Sequence, residues 1–274
     1  MKIVVDRNVP FLEGVFEPYA EIVYMDGREI SHEEVKDADA LIIRTRTRCD
    51  AALLEGTSVS MIATATIGTD HIDMDYCRSK GIMVHNAEGC NAGGVLQYVF
   101  SALYGVASRK AIKLNDSVFG VVGVGNVGGK IAALAEYLGF KVLRCDPPRA
   151  LREGPEGFCD LDYLLANSDI VTLHVPLDET TRNMADESFF TLMKPGSIFI
   201  NAARGEVVDQ EALKMVIPKF GAVIIDTWAG EPHVDEELVE MVDIATPHIA
   251  GYSYRGKQNG TAAAVQAVAR QFGI

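Results

Sequence analysis

No apolar stretch in this 274-residue chain approaches the roughly 18 residues that a membrane-spanning helix requires, which argues against a membrane protein. The opening residues MKIVVD already read as a strand, so no secretory leader is expected at this end. C-x-x-C spacing is missing, and the five cysteines (Cys49, Cys77, Cys90, Cys145, Cys159) are scattered and odd in number. That pattern fits neither a disulfide framework nor a cysteine-held metal; no metal is expected, and reduced thiols point to the cytoplasm. Positive charge is in short supply as well, since 25 Lys and Arg face 38 Asp and Glu for a formal net charge of −13. Sequence-independent nucleic-acid binding needs the opposite balance. The same negative field repels acidic small molecules, so any such ligand requires a locally basic pocket. Internal repeats, low-complexity tracts and flexible linkers are also missing.

What is present is an ordinary globular composition, 48% apolar and 23% charged, with length for one large or two modest domains. β-rich runs alternate with helical stretches. In the first part Lys2–Val5, Glu21–Met25, Ala40–Thr45, Met61–Thr66 and Gly81–His85 read as strands, spaced for crossover helices. This predicts a small parallel sheet of flavodoxin-like strand order. After a long helical stretch, Ala92–Ser108, a second series follows: Val118–Val124, Lys141–Cys145, Ile170–Val175, Ser197–Asn201, Ala222–Asp226 and Asp243–Ala245. The final segment, Asn259–Phe272, is Ala-rich and helical. The fold class is therefore α/β, two Rossmann-like doubly wound parallel-sheet domains.

The run Gly123-Val124-Gly125-Asn126-Val127-Gly128 follows an apolar strand and precedes Val127, Ile131, Ala135 and Leu138 at helical spacing. Strand, glycine loop and helix in that order form a pyrophosphate cradle, with unpaired N–H groups at the helix start. Asp146 ends the next strand about 20 residues on, where an acid accepts hydrogen bonds from the adenosine ribose. A carboxylate there favours NAD over NADP, because its charge opposes a 2′-phosphate; Arg149 nearby pulls the other way.

Three further residues each lie just past a predicted strand: Arg204 in NAARG, Glu231 in DTWAGEP and His248 in TPHIAG. In an open parallel sheet the carboxyl ends of the strands share one edge, where ligands bind. A guanidinium fork holds a carboxylate; an imidazole exchanges a proton near neutrality; a neighbouring acid orients it and favours its cation. Beside a dinucleotide site, these are the parts needed to move a proton while a hydride moves. Taken singly, each is more often structural.

With GVGNVG, NAARGEVVD, DTWAGEP and PHIAG in order, the chain resembles the D-isomer-specific 2-hydroxyacid dehydrogenases over essentially its whole length. The resemblance implies two domains with a cleft between them: residues 1–91 plus 255–274 as the substrate domain, and 92–254 as the NAD domain. It places the catalytic set on Arg204, Glu231 and His248, and NAD contacts on Gly123, Gly125, Asn126, Val127, Gly128, Asp146, His174, Val175, Ala202, Ala203, Asp226 and Gly251. The stretches KIVVDRNVP, ATATIGTDHID, EGCNAGGVLQYVF and CDPPRA are similar to a branch that oxidises a phosphorylated four-carbon 2-hydroxy acid on the route to pyridoxine. By that likeness Thr45, Thr66 and Tyr252 touch substrate, and Arg44 and Arg46 gain a purpose as phosphate ligands. If the strand runs through Thr45, alternation lets only one face of Arg44, Thr45 and Arg46 look into the site. The implied partners are a small phosphorylated hydroxy acid and a second copy of the chain, packed through the helix Ala92–Ser108 as in the family. Relatives continue with a C-terminal dimerisation domain, and commonly have Glu where Gln97 stands. The alternatives are a family member acting on a phosphorylated three-carbon acid, and an NAD-sensing corepressor-like binding protein.

Overall fold

Short β-branched runs bounded by polar loops become strands throughout the computed structural model, which describes all 274 residues. The chain divides into two compact units, Met1–Asn91 with Tyr252–Ile274, and Ala92–Gly251.

In the first unit the strands β1 (Lys2–Asp6), β2 (Glu21–Met25), β3 (Ala40–Ile43), β4 (Met61–Thr64) and β5 (Met83–Asn86) pair in parallel in the order β2-β1-β3-β4-β5. This is the flavodoxin-like order expected from the alternation of strands and helices. Both faces are covered, as a parallel sheet requires. Val4, Leu41, Ile43 and Ile62 fill one side, while Ile3, Val5, Ile42 and Ala63 fill the other together with Ala264, Ala267 and Val268 of the helix Tyr254–Phe272. That helix starts five residues earlier than its Ala-rich pattern suggests, because the Ser253 side chain accepts the Gly256 N–H and caps a first turn that apolar periodicity does not mark.

The second unit contains β6 (Val118–Val122), β7 (Lys141–Cys145), β8 (Ile170–Leu173), β9 (Ile198–Asn201), β10 (Ala222–Ile225) and β11 (Ile244–Ala245), all parallel, in the order β11-β10-β9-β8-β6-β7. The helix Ala92–Lys110 lays Val95, Val99, Phe100, Leu103 and Val106 on one face, against Phe119, Val121 and Ile200. Phe189, Phe190, Phe199 and Trp228 fill the other. Each buried side chain of this size contributes roughly 1.5–3 kcal/mol.

Strand register decides where the loops emerge. Cys145 pairs with Val122, Val122 with Leu173, Leu173 with Asn201, Asn201 with Ile225, and Ile225 with Ala245. All six strands therefore finish on one row. The order of chain connection reverses between β6 and β8, the switch point at which an open α/β sheet leaves a crevice.

Several strands stop short of their sequence patterns: β3 at Ile43, β4 at Thr64, β6 at Val122 and β8 at Leu173. The β-branched character runs on, but each chain makes one last ladder bond and leaves, as with Gly123 N–H to the Cys145 carbonyl and His174 N–H to that of Val122. Arg44, Thr45 and Arg46 are accordingly loop residues. The alternation argument does not apply to them: Arg44 is half-buried, Thr45 and Arg46 are exposed, and Thr47 is buried.

Candidate active site

The glycine loop leaves β6 at the switch point, and its three glycines serve different needs. Gly123 has φ of +82°, and a Cβ there would lie 2.6 Å from the His174 carbonyl oxygen. At Gly128 a Cβ would lie 1.9 Å from the Gly123 carbonyl oxygen, so only glycine lets the helix Gly128–Tyr137 begin against the strand end. Around Gly125 there is open space. Gly125 and Asn126 are exposed, Val127 is half-buried and Gly128 is buried, leaving the loop's middle open to an approaching phosphate. A dinucleotide fits this cradle.

Asp146 secures the loop from the neighbouring strand. One carboxylate oxygen accepts the Val124 N–H at 2.8 Å and the other the Arg149 N–H at 3.0 Å, capping the helix Pro147–Glu153. Arg149 donates to the Val124 carbonyl and is held by a two-pronged ion pair with Glu153, at 2.8 and 2.9 Å. The arginine is thus tethered to a carboxylate of its own helix. Across the switch point, His174 follows β8 with Val175, its Nε2 2.8 Å from the Thr172 hydroxyl. Burial pushes its pKa down to about 3, so it stays neutral over the working range.

After β9, Asn201 is fully buried and folds the loop onto itself: its amide donates to the Arg204 carbonyl at 3.0 Å and its oxygen accepts the Ala203 N–H at 3.1 Å. Ala202 and Arg204 are half-buried at the surface end of this loop, with Ala203 beneath. A Cβ on Gly205 would fall 1.9 Å from the Trp228 carbonyl carbon, so the loop bearing Arg204 rests directly on the backbone that leads to Glu231.

Glu231 bridges two donors. One oxygen accepts the Trp228 N–H at 2.8 Å, and the other lies 2.8 Å from His248 Nδ1. A carboxylate can only accept, so Nδ1 carries the hydrogen and Nε2 is left as the nitrogen that exchanges a proton. His248 has φ of +54°, a conformation that an L-residue adopts at some cost and that its surroundings must enforce. The enforcing group is Asp226, fully buried at the end of β10. Its carboxylate accepts the Thr246 hydroxyl at 2.6 Å, the Ile249 N–H at 2.9 Å and the Ala250 N–H at 2.8 Å, while its carbonyl accepts the His248 N–H at 2.7 Å. Asp226 therefore works in this structure as the anchor of the histidine loop, just ahead of the half-buried Gly251.

In the first unit the candidate substrate residues gather past β3 and β4. The Thr66 hydroxyl is 2.7 Å from that of Thr64. Tyr252 is 65% exposed, and Lys257 Nζ lies 3.6 Å from the centre of its ring. The positive charge of the adjacent Lys257, with those of Arg44 and Arg46, holds the Tyr252 phenol below its usual range.

The model of the D-isomer specific 2-hydroxyacid dehydrogenase NAD binding domain matches residues 103–250, which include the glycine loop, Arg204, Glu231 and His248. The chain belongs to the D-isomer-specific 2-hydroxyacid dehydrogenases. Among curated members of the family, the erythronate-4-phosphate dehydrogenase of Bacteroides fragilis is 46% identical over 281 residues, covering 100% of this chain and 81% of that protein. The enzyme of the same name from Chromohalobacter salexigens is 45% identical, covering 100% of this chain and 73% of its own length. Among solved structures, the NAD+-bound 3-phosphoglycerate dehydrogenase of Entamoeba histolytica superposes with a TM-score of 0.83 at 27% identity, over 100% of this chain and 95% of that one.

For this 2-hydroxyacid dehydrogenase the sequence reading missed the supports more than the reactive groups. Thr246 links Asp226 to the Tyr98 hydroxyl, 2.6 Å away, and its carbonyl accepts the Trp228 indole N–H at 2.9 Å. Asn201 shapes the arginine loop. Both sit inside the NAARG and TPHIAG motifs; a polar residue on the last position of a buried strand is the signal that finds Asn201, whereas Thr246 lies one residue past the short, partly exposed β11 and carries no such signal. Lys257 carries no such mark, lying in an unremarkable first turn of helix.

Proposed function

We propose that the chain oxidises the 2-hydroxyl of 4-phospho-D-erythronate to the 2-oxo acid, 3-hydroxy-2-oxo-4-phosphooxybutanoate, with NAD as acceptor, on the route to pyridoxine. The observation that supports it best is the Glu231–His248 pair, which fixes the tautomer of the imidazole and leaves Nε2 ready to act as base. The names and identities of the curated relatives support the substrate.

In the proposed reaction Arg204 binds the substrate carboxylate through its guanidinium fork and orients C2. His248 takes the hydroxyl proton on Nε2, and Glu231 stabilises the imidazolium that results. Bound NAD would supply the acceptor for the hydride released from C2. Gly123, Gly125, Asn126, Val127 and Gly128 are assigned to its pyrophosphate, Asp146 to its ribose, and His174, Val175, Ala202, Ala203 and Gly251 to the remainder, while Asp226 acts through the histidine loop. Arg44, Thr45, Arg46, Thr66 and Tyr252 of the first unit are assigned to the substrate, with the arginines on its phosphate.

The same reading carries a cytoplasmic homodimer. No helix is long and apolar enough to cross a membrane, all five cysteines are free, and Tyr104 on the helix Ala92–Lys110 is 45% exposed. Light scattering in solution checks the dimer.

The deciding assay follows NADH formation with 4-phosphoerythronate against 3-phosphoglycerate. Preference for the four-carbon acid is expected. Preference for phosphoglycerate moves the chain to the other branch, and no NADH with either removes the reading.

A further inference from the structure

Three cations of the first unit lie at the C-terminal edge of its sheet without a close ion pair, the charge of Arg46 reaching the Asp26 carboxyl only at longer range. Arg48, Arg78, Arg144 and Arg149 all sit in ion pairs with Asp or Glu at 2.7–2.8 Å. Arg44, Arg46 and Lys257 form none, in a chain whose net charge is −13 and where carboxylates outnumber cations. The two arginines lie one and three residues past the end of β3. Lys257 belongs to the first turn of the helix Tyr254–Phe272, which packs on β4, the neighbour of β3. Chain segments some 210 residues apart thus deliver positive charge within range of the Tyr252 phenol. The lysine rests over an exposed ring at 3.6 Å, a contact that holds an ammonium weakly and gives it up to any anion that offers more. The phenol beside it responds to all three cations.

We propose that Lys257 is a third phosphate ligand of the substrate site, leaving the face of Tyr252 to donate to the same phosphate dianion that Arg44 and Arg46 bind. The inference rests on the substrate reading above and names the residue that makes that site selective for a phosphorylated acid. Two arginines in one short loop approach a tetrahedral anion from one side. The helix supplies an ammonium from another direction, with three donors free to rotate toward oxygens that a planar guanidinium fork does not reach. Lys257 is half-buried, so packing along its stem directs its reach.

The test compares the unmodified chain with K257Q and K257R. Inorganic phosphate is titrated calorimetrically at fixed ionic strength, NAD affinity is measured in parallel, and KM and kcat are taken with 4-phosphoerythronate. Loss of one charge-assisted bond predicts that K257Q weakens inorganic phosphate and raises KM by on the order of 10- to 100-fold, with kcat and NAD affinity changed less than about threefold. K257R should recover most of the phosphate affinity. Unchanged phosphate affinity and KM in K257Q overturn the proposal. If K257Q loses NAD affinity too, its fold is compromised and K257M, which keeps an apolar stem and removes the charge, decides: weakened phosphate binding with NAD binding intact upholds the ligand, and unchanged phosphate binding rejects it. Failure of the unmodified chain to oxidise 4-phosphoerythronate would dispose of the substrate reading, and the phosphate titration would still judge Lys257.

Discussion

Replacing Glu231 by Gln exchanges one carboxylate oxygen for an NH2 group and should disable the proton transfer while leaving the fold alone. In the native site both oxygens accept, one from the Trp228 N–H and one from His248 Nδ1, each at 2.8 Å. An amide has one oxygen and one NH2, so it cannot satisfy both donors. If its oxygen faces His248, its NH2 opposes the Trp228 N–H. If it flips, its NH2 faces Nδ1 and forces the hydrogen onto Nε2, the nitrogen that must act as base. Either way the imidazolium loses an anionic partner. A hydrogen bond to a charged group contributes about 1.5–3 kcal/mol, which at the transition state corresponds to a fall in kcat of about 10- to 150-fold. The effect on stability is small by contrast, because His248 and Glu231 are 45% and 33% exposed and solvent screens the resting pair to at most ~1 kcal/mol. Stopped-flow measurement of NADH formation, with KM and thermal midpoint determined alongside, separates the two. A variant that keeps more than a third of the native kcat would refute the role of the pair in setting the tautomer. A midpoint that collapses together with kcat would show Glu231 to be structural.

The two exchanges G128A and G125A should behave oppositely. G128A places a Cβ 1.9 Å from a carbonyl oxygen and is expected to unfold or strongly destabilise the second unit, whereas G125A meets open space, keeps its midpoint within about 2 °C and loses on the order of tenfold in NAD affinity. Calorimetry and NAD titration of both variants check this. His174 is neutral in the fold down to about pH 3 but takes a proton near pH 6.5 once unfolded, so its contribution is present above that pH and is lost as pH falls toward 3. Urea unfolding at several pH values should show this as a slope of up to ~1.4 kcal/mol per pH unit that flattens in H174Q. D146S keeps a hydroxyl to cap Arg149 but removes the anion, so the ratio of NADP to NAD affinity should rise; paired titrations in which NAD preference is unchanged would show that the carboxylate only holds the loop.

How much of this was legible in the residues depends on what carried the information. The reactive groups could be found because a parallel sheet ends on one row: Cys145, Val122, Leu173, Asn201, Ile225 and Ala245 are register partners, and Asp146, the glycine loop, His174, Arg204, Glu231 and His248 all follow within a few residues of that row. In the first unit the alternation of strand and helix implied a parallel sheet, and the flavodoxin-like order expected for it is the one found, although alternation alone does not dictate an order. Strand ends did not, because β-branched side chains continue past the last ladder bond and hydrogen bonding, unlike hydropathy, leaves no trace in composition. That is why Arg44 to Arg46 read as a strand's alternation and lie in a loop. The supports were hidden for a related reason. Asp226 looks like one more acid near a ligand site, and only its three accepted hydrogen bonds reveal that it holds His248 in a positive-φ conformation. Lys257 was hidden by distance along the chain, since helix periodicity places it on a half-buried face and nothing local tells that this turn returns to the end of β3's neighbour. Chemistry that depends on one residue type after one strand can thus be read along the chain. Chemistry that depends on who accepts from whom requires the coordinates.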